Sequence, residues 1–189
     1  MASTKLLVNS LRQRITKIEK NHRQIIYACL YLIGVIIFTI IVHEAGHIIA
    51  ALALGVPLTE IQLGFQGINP SVTLPDRFSN APLTIQHYAG GFTAAIILMP
   101  IYLFWFRRYR KNSTPLNWIL GLITITAFGL QIGQGYIEGR FHVLYIVRAG
   151  SIFDLKDLVV YIGIAFMWLV HFNLCPVSKF KKAGASITR

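Results

Sequence analysis

Charge is what this sequence has least of. Charged residues make up 13% of its 189 positions, and only 7 of these are Asp or Glu, against about a quarter charged in soluble domains. Set beside a hydrophobic fraction of 54%, that shortage excludes an ordinary water-soluble domain. Cysteine is nearly absent. Cys29 and Cys175 lie far apart, each in or beside an apolar run, which reads as two small buried hydrophobes and not as a disulfide or a cysteine-built metal pair. No cleavable signal peptide is visible, because the first twenty-odd residues are basic and polar and the apolar run after them is too long. Internal repeats and low-complexity tracts are lacking too. The formal net charge of +11 comes from Lys and Arg clustered beside apolar segments, with no interleaved Arg/aromatic surface. Anionic lipid headgroups are therefore the expected partner, and nucleic acid is not.

What the chain has in abundance is apolar runs. Four segments, about 25–56, 87–106, 116–147 and 158–174, are the expected membrane helices, since about 20 residues cross a hydrocarbon core of roughly 30 Å. The first and third exceed that length and must tilt, protrude or break. Gly129, Gly133, Gly135 and Gly139 predict an inward-facing break in the third. Residues 1–24 carry Leu6, Leu7, Leu11, Ile15 and Ile18 at helical spacing among basic residues. They read as an amphipathic helix on the membrane surface or as a solvated basic tail. The alternating stretches Thr59 to Phe65 and Ile68 to Leu74 flank Gln66-Gly67 and predict a short β-hairpin with Pro70 at an edge. The expected fold is thus an all-α membrane protein with about four transmembrane helices, a hairpin after the first and an N-terminal amphipathic helix. Residues 25–174 form one embedded domain, and 175–189 form a basic tail.

Lys and Arg alternate along this plan. Six lie in residues 1–24, one (Arg77) in the loop after the first segment, and four between Arg107 and Lys111; three (Arg140, Arg148 and Lys156) run from the end of the third segment to the start of the fourth, and four lie in the tail. The positive-inside rule then places both termini in the cytoplasm.

The chemistry is concentrated in His43-Glu44-Ala45-Gly46-His47. Histidines four apart on a helix share one face and can grip one metal ion, with the glutamate between them placed to take a proton from a water on that ion. The motif sits between Ile41-Val42 and Ile48-Ile49, where ionisable groups cost several kcal/mol unless paired or metal-bound. The plain alternative is histidines satisfied by helix neighbours. A catalytic zinc takes three protein ligands and keeps a fourth position for water, so one more ligand is needed. Gln131 and Gln134 could hydrogen-bond around such a site or simply join helices. His22 and His171 read as interfacial, and the aromatics at Phe104 to Phe106 and Trp118 as a membrane-interface belt.

At these residues the chain resembles the site-2 protease family of intramembrane zinc metalloproteases, over roughly residues 35–147. The likeness includes the motif, the following Ala51-Leu52-Ala53-Leu54-Gly55-Val56-Pro57, the hairpin-like Glu60-Ile61-Gln62-Leu63-Gly64, and Tyr88-Ala89-Gly90-Gly91. The last looks like the family's Ala-Gly-Pro element with Gly91 in the proline's place. The resemblance implies a Zn2+-dependent endopeptidase that cuts a membrane-protein substrate within or near a transmembrane segment. Ile61, Gln62, Leu63 and Gly64 would pair with the unwound substrate as an added strand. It also implies an Asp ligand in a Leu-Asp-Gly motif, which is absent. The nearest counterpart is Ile137-Glu138-Gly139-Arg140, making Glu138 the expected third ligand, with His142 and His87 as alternatives. Depth supports Glu138: it lies about 10 Å beyond the middle of its segment, the motif about 7 Å beyond the middle of its own, on the same side. Two other readings remain open, a catalytically inactive relative that binds or regulates membrane partners, and a haem or metal transport protein. The charge rule puts the motif toward the outer face, whereas site-2 proteases generally keep theirs nearer the cytosol.

Overall fold

The computed structural model describes residues 2–66, 69–74, 83–111, 113–141 and 155–175. Helix α1 runs from Ala2 to Ala53, 52 residues without interruption. No proline and no glycine precede Gly34, so nothing in that stretch removes a backbone donor or loosens the helix. The N-terminal basic segment is consequently not set off as a separate surface helix. It continues the axis of the first apolar run. The helix stops in a Schellman turn: Gly55 takes a φ of 85°, Gly55 N–H donates to Leu52 C=O and Val56 N–H to Ala51 C=O, both at 3.0 Å. Only glycine adopts that left-handed conformation freely, and Pro57 then forbids a restart.

After a 3-10 turn at Leu58–Glu60, strands β1 (Gln62–Gln66) and β2 (Asn69–Thr73) pair antiparallel, Gln62 opposite Thr73 and Phe65 opposite Pro70. This is the hairpin expected from the alternation. With two strands each has an outer edge, so the missing N–H of Pro70 is tolerated. β2 packs along α1.

Helices α2 (Leu83–Tyr109), α3 (Pro115–Phe141) and α4 (Leu155–Leu174) follow. α2 packs on both α1 and α3, α1 also touches α3 directly, and α4 packs on α3. Three apolar stretches, Asn21–Ala53, Ile85–Tyr109 and Pro115–Arg140, are long enough to cross a membrane, whereas the apolar part of α4, Val160–Leu174, is shorter. The surface pattern is inverted relative to a soluble protein: Ile25, Ile33, Ile37 and Ile41 are each more than half exposed, while His43, His47, Gln131 and Glu138 are buried. Polar groups inside and apolar groups outside suit a lipid solvent.

The break expected in the third helix is not present. α3 passes straight through Gly129, Gly133 and Gly135 to Phe141. The glycines serve contact instead. A Cβ on Gly91 would run into the backbone of Gln131 and Gly135, and one on Gly135 would come within 3.0 Å of the Phe92 nitrogen. Small residues of this kind let helix backbones approach where no water drives association. Gly133 likewise receives Val160 and Gly139 receives the Tyr88 ring, and Ile137, Val160 and Ile164 form the apolar cluster between α3 and α4.

Candidate metal centre

The close α2–α3 crossing decides which side chains meet. His43 and His47 share the face of α1 that looks into the bundle. Gly46, between them, lets α2 approach so closely that a Cβ there would lie 2.7 Å from the Ala89 carbonyl oxygen. From the far side, α3 presents Glu138. His43 Nε2 lies 3.1 Å and His47 Nε2 3.6 Å from Glu138 Oε2, and the two Nε2 atoms are 3.1 Å apart. His43, His47 and Glu138 are the metal-capable cluster found among the described residues.

The atoms that converge there are acceptors. His47 Nδ1 is 2.7 Å from the Gln86 carbonyl oxygen. A carbonyl only accepts, so the proton of a neutral His47 sits on Nδ1 and its Nε2 lone pair points into the cluster. Glu138 Oε2 is buried and accepts no hydrogen bond, and Glu44 Oε2 is in the same condition. A carboxylate oxygen and an imidazole lone pair aimed at one point repel each other unless an imidazole takes a second proton or a metal ion lies between them, and only the metal ion satisfies all three atoms at once. The triangle of donor atoms also has the right size, because ligands at about 2.0–2.1 Å around a tetrahedral ion stand roughly 3.3 Å apart. The space is kept open by Gly90, where a Cβ would collide with His47 Nε2 and lie 2.7 Å from His43 Nε2. The residues fit a metal ion in charge, spacing and cavity.

The structure thus brings together His43, His47, Glu138 and the adjacent Glu44. His87 is half-buried on α2 outside that cluster, and His142 lies outside the described residues. Gln62, Leu63 and Gly64 are exposed on β1 and Ile61 immediately precedes it, half-buried. Gln131 Oε1 is 2.8 Å from His43 Nδ1, and Gln134 bonds both Gln131 and Glu138, so of the two roles open for these amides the one around the site is observed. The Gln86 carbonyl was not legible in the sequence, since any residue supplies that atom.

His171, expected at an interface, is fully enclosed. Its Nδ1 is 3.0 Å from the Tyr102 hydroxyl and its Nε2 3.2 Å from the Trp118 carbonyl oxygen. The rings of Trp105 and Trp118 lie 5.2 Å away. Part of the expected aromatic belt is therefore packed inward around a histidine whose two nitrogens are both satisfied, which makes it a structural tie between α2, α3 and α4. Cys29 is exposed, Cys175 is buried and both are free.

No protein-family model, no curated protein and no solved structure matches this chain.

Proposed function

We propose that the chain is an intramembrane zinc-dependent endopeptidase that cuts other membrane proteins within or near a transmembrane segment. The observation that carries this reading is the convergence of His43 Nε2, His47 Nε2 and Glu138 Oε2 within 3.1–3.6 Å of one another, with Glu44 beside them on the same helix. Those three atoms would hold the ion and leave one position open. Zinc, when bound, supplies the Lewis acidity that brings the pKa of a water near neutral and polarises a carbonyl. Glu44 acts as general base: its buried, unpartnered Oε2 takes the proton of the attacking water and delivers it to the departing amide nitrogen.

A peptide bond inside a membrane helix must lose its helical hydrogen bonds before it can be attacked, and unpaired backbone groups in lipid cost several kcal/mol each. The edge of β1 opposite β2 offers N–H and C=O groups in strand spacing, so Ile61, Gln62, Leu63 and Gly64 would receive the unwound substrate as a third strand. Arg107 and Arg108 in the last turn of α2, with Arg110 and Lys111 after them, would meet anionic headgroups on the cytoplasmic side, where both termini lie.

The test is zinc content and cleavage of a transmembrane test peptide by the purified full-length protein. Wild type is expected to hold about one zinc and to cut. His43→Ala should lose both. Glu44→Gln should keep the zinc and lose about 10²–10⁴-fold in rate, because an amide cannot take the proton. Cleavage by Glu44→Gln at the wild-type rate would refute the mechanism. A wild type that holds zinc and cuts nothing would favour the inactive, partner-binding reading.

A further inference from the structure

Two amides on α3 lie behind the proposed metal ligands. His43 Nδ1 is 2.8 Å from Gln131 Oε1, Gln131 Nε2 donates to Gln134 Oε1 at 3.0 Å, and Gln134 Nε2 donates to Glu138 Oε1 at 3.0 Å. The chain begins on one candidate ligand and ends on another.

Its direction follows from the carboxylate end. An ionised carboxylate only accepts, so Gln134 must turn its N–H to Glu138 and its carbonyl to Gln131. Gln131 must then donate to Gln134 and turn its own carbonyl to His43, and the proton of a neutral His43 must sit on Nδ1. Each amide orientation is fixed by its neighbour, which removes the usual freedom to exchange O and N. The result at both ends is the same. His43 is left with its lone pair on Nε2, and Glu138 has Oε1 engaged and Oε2 free, and these are the two atoms 3.1 Å apart in the cluster.

We propose that Gln131 and Gln134 form a directional amide relay that positions the metal ligands, setting the tautomer of His43 on α1 and the presenting oxygen of Glu138 on α3 as one unit. The proposal rests on the metal-centre reading above and adds to it the residues that orient the centre. Helix gluing accounts for less of what is observed. Only the His43–Gln131 bond joins two helices; the other two links lie within α3, where the backbone is already satisfied. Gln131 is also buried, and an apolar side chain would fill that place at no desolvation cost.

The test uses the full-length protein in nanodiscs, with zinc affinity measured by chelator competition and ligand geometry by the visible spectrum of the Co2+-loaded protein. The variants are Gln131→Met, Gln134→Met, the double variant and His43→Ala. Methionine keeps the length and flexibility of glutamine and suits a buried membrane helix. Each single variant is expected to weaken zinc by about 10–100-fold, the usual effect of removing a partner behind a ligand, and to alter the Co2+ bands. Because cutting either link severs the same chain, the double variant should be within about threefold of the weaker single. Affinities of both single variants within about threefold of wild type, or losses that multiply in the double variant, would overturn the relay. So would a lower melting temperature of the metal-free protein with affinity and Co2+ spectrum unchanged, which is what helix gluing predicts. If His43→Ala binds zinc as tightly as wild type, the metal-centre reading itself fails. If His43→Ala loses zinc while the glutamine variants behave as wild type, only the relay fails.

Discussion

Gly91 and Gly135 meet backbone to backbone where α2 crosses α3, just under one helical turn before Glu138. That contact sets the distance between the histidines of α1, held against α2, and the carboxylate of α3. Removing the glycines would be expected to damage the site through geometry alone, although neither residue has a side chain to offer it.

Gly91→Ala is the sharpest test of that relation. Alanine is a better helix former by about 1 kcal/mol, so propensity alone favours the variant. Its Cβ would nevertheless meet the backbone of Gln131 and Gly135, and overpacking against an unyielding backbone costs about 1–3 kcal/mol. A net loss of stability in a denaturant titration is expected, together with weaker zinc binding. Gly34→Ala is the control: nothing lies within 4 Å of a Cβ there, so it should be neutral or stabilising by up to about 1 kcal/mol. Equal responses at the two positions would contradict the packing argument.

Gly90→Ala should separate metal binding from folding. The added methyl would enter the space between His43 Nε2 and His47 Nε2, displacing a bound ion before it displaces a helix. Zinc affinity is expected to fall by about tenfold or more, with helical content by circular dichroism unchanged. Full zinc occupancy in Gly90→Ala would mean that the ion sits elsewhere.

Glu138→Ala should lose zinc, since two histidines alone do not make a tight site. Glu138→Asp draws the carboxylate back by one methylene and should retain zinc more weakly, by about 10–100-fold. His142→Ala should bind as wild type. The reverse result, with Glu138→Ala unaffected and His142→Ala stripped, would transfer the ligand role to His142.

Orientation can be settled by labelling single cysteines placed in the 57–86 loop of a Cys29→Ser, Cys175→Ser background. The alternation of Lys and Arg predicts that these positions react with an impermeant reagent applied to intact cells. Reaction only after permeabilisation would invert the topology and bring the candidate metal centre toward the cytosolic face, as the resemblance to site-2 proteases implies.

How far the site could be read beforehand depends on the range of each contact. His43 and His47 were legible because i, i+4 spacing fixes a shared face whatever surrounds the helix. Glu138 was reachable only through the likeness of Ile137-Glu138-Gly139 to a Leu-Asp-Gly motif and through depth, which constrains height in the membrane but not which face of α3 turns inward. The glycines of α3 were misread as a break because a sequence shows glycine without its partner; the partner of Gly135 is Gly91 on another helix. His171 was placed at an interface for the same reason, its Tyr102 and Trp118 partners being 69 and 53 residues away. The hairpin needed no such information, since strand alternation and a glycine turn are local.

The unbroken course of α1 has a mechanical consequence. The 19 residues from Ala2 to Lys20 continue the helix ahead of the apolar stretch that starts at Asn21, a rigid extension of about 28 Å at 1.5 Å per residue. No proline interrupts the helix between that end and His43, and Gly34, the one glycine on the way, stays helical, so rotation at that end is transmitted along the shaft to His43 and His47. Whatever grips the basic end is therefore geared to the angular phase of the two histidines. Inserting one residue near position 20 would turn that end by about 100° relative to them, while inserting seven would nearly restore the original phase.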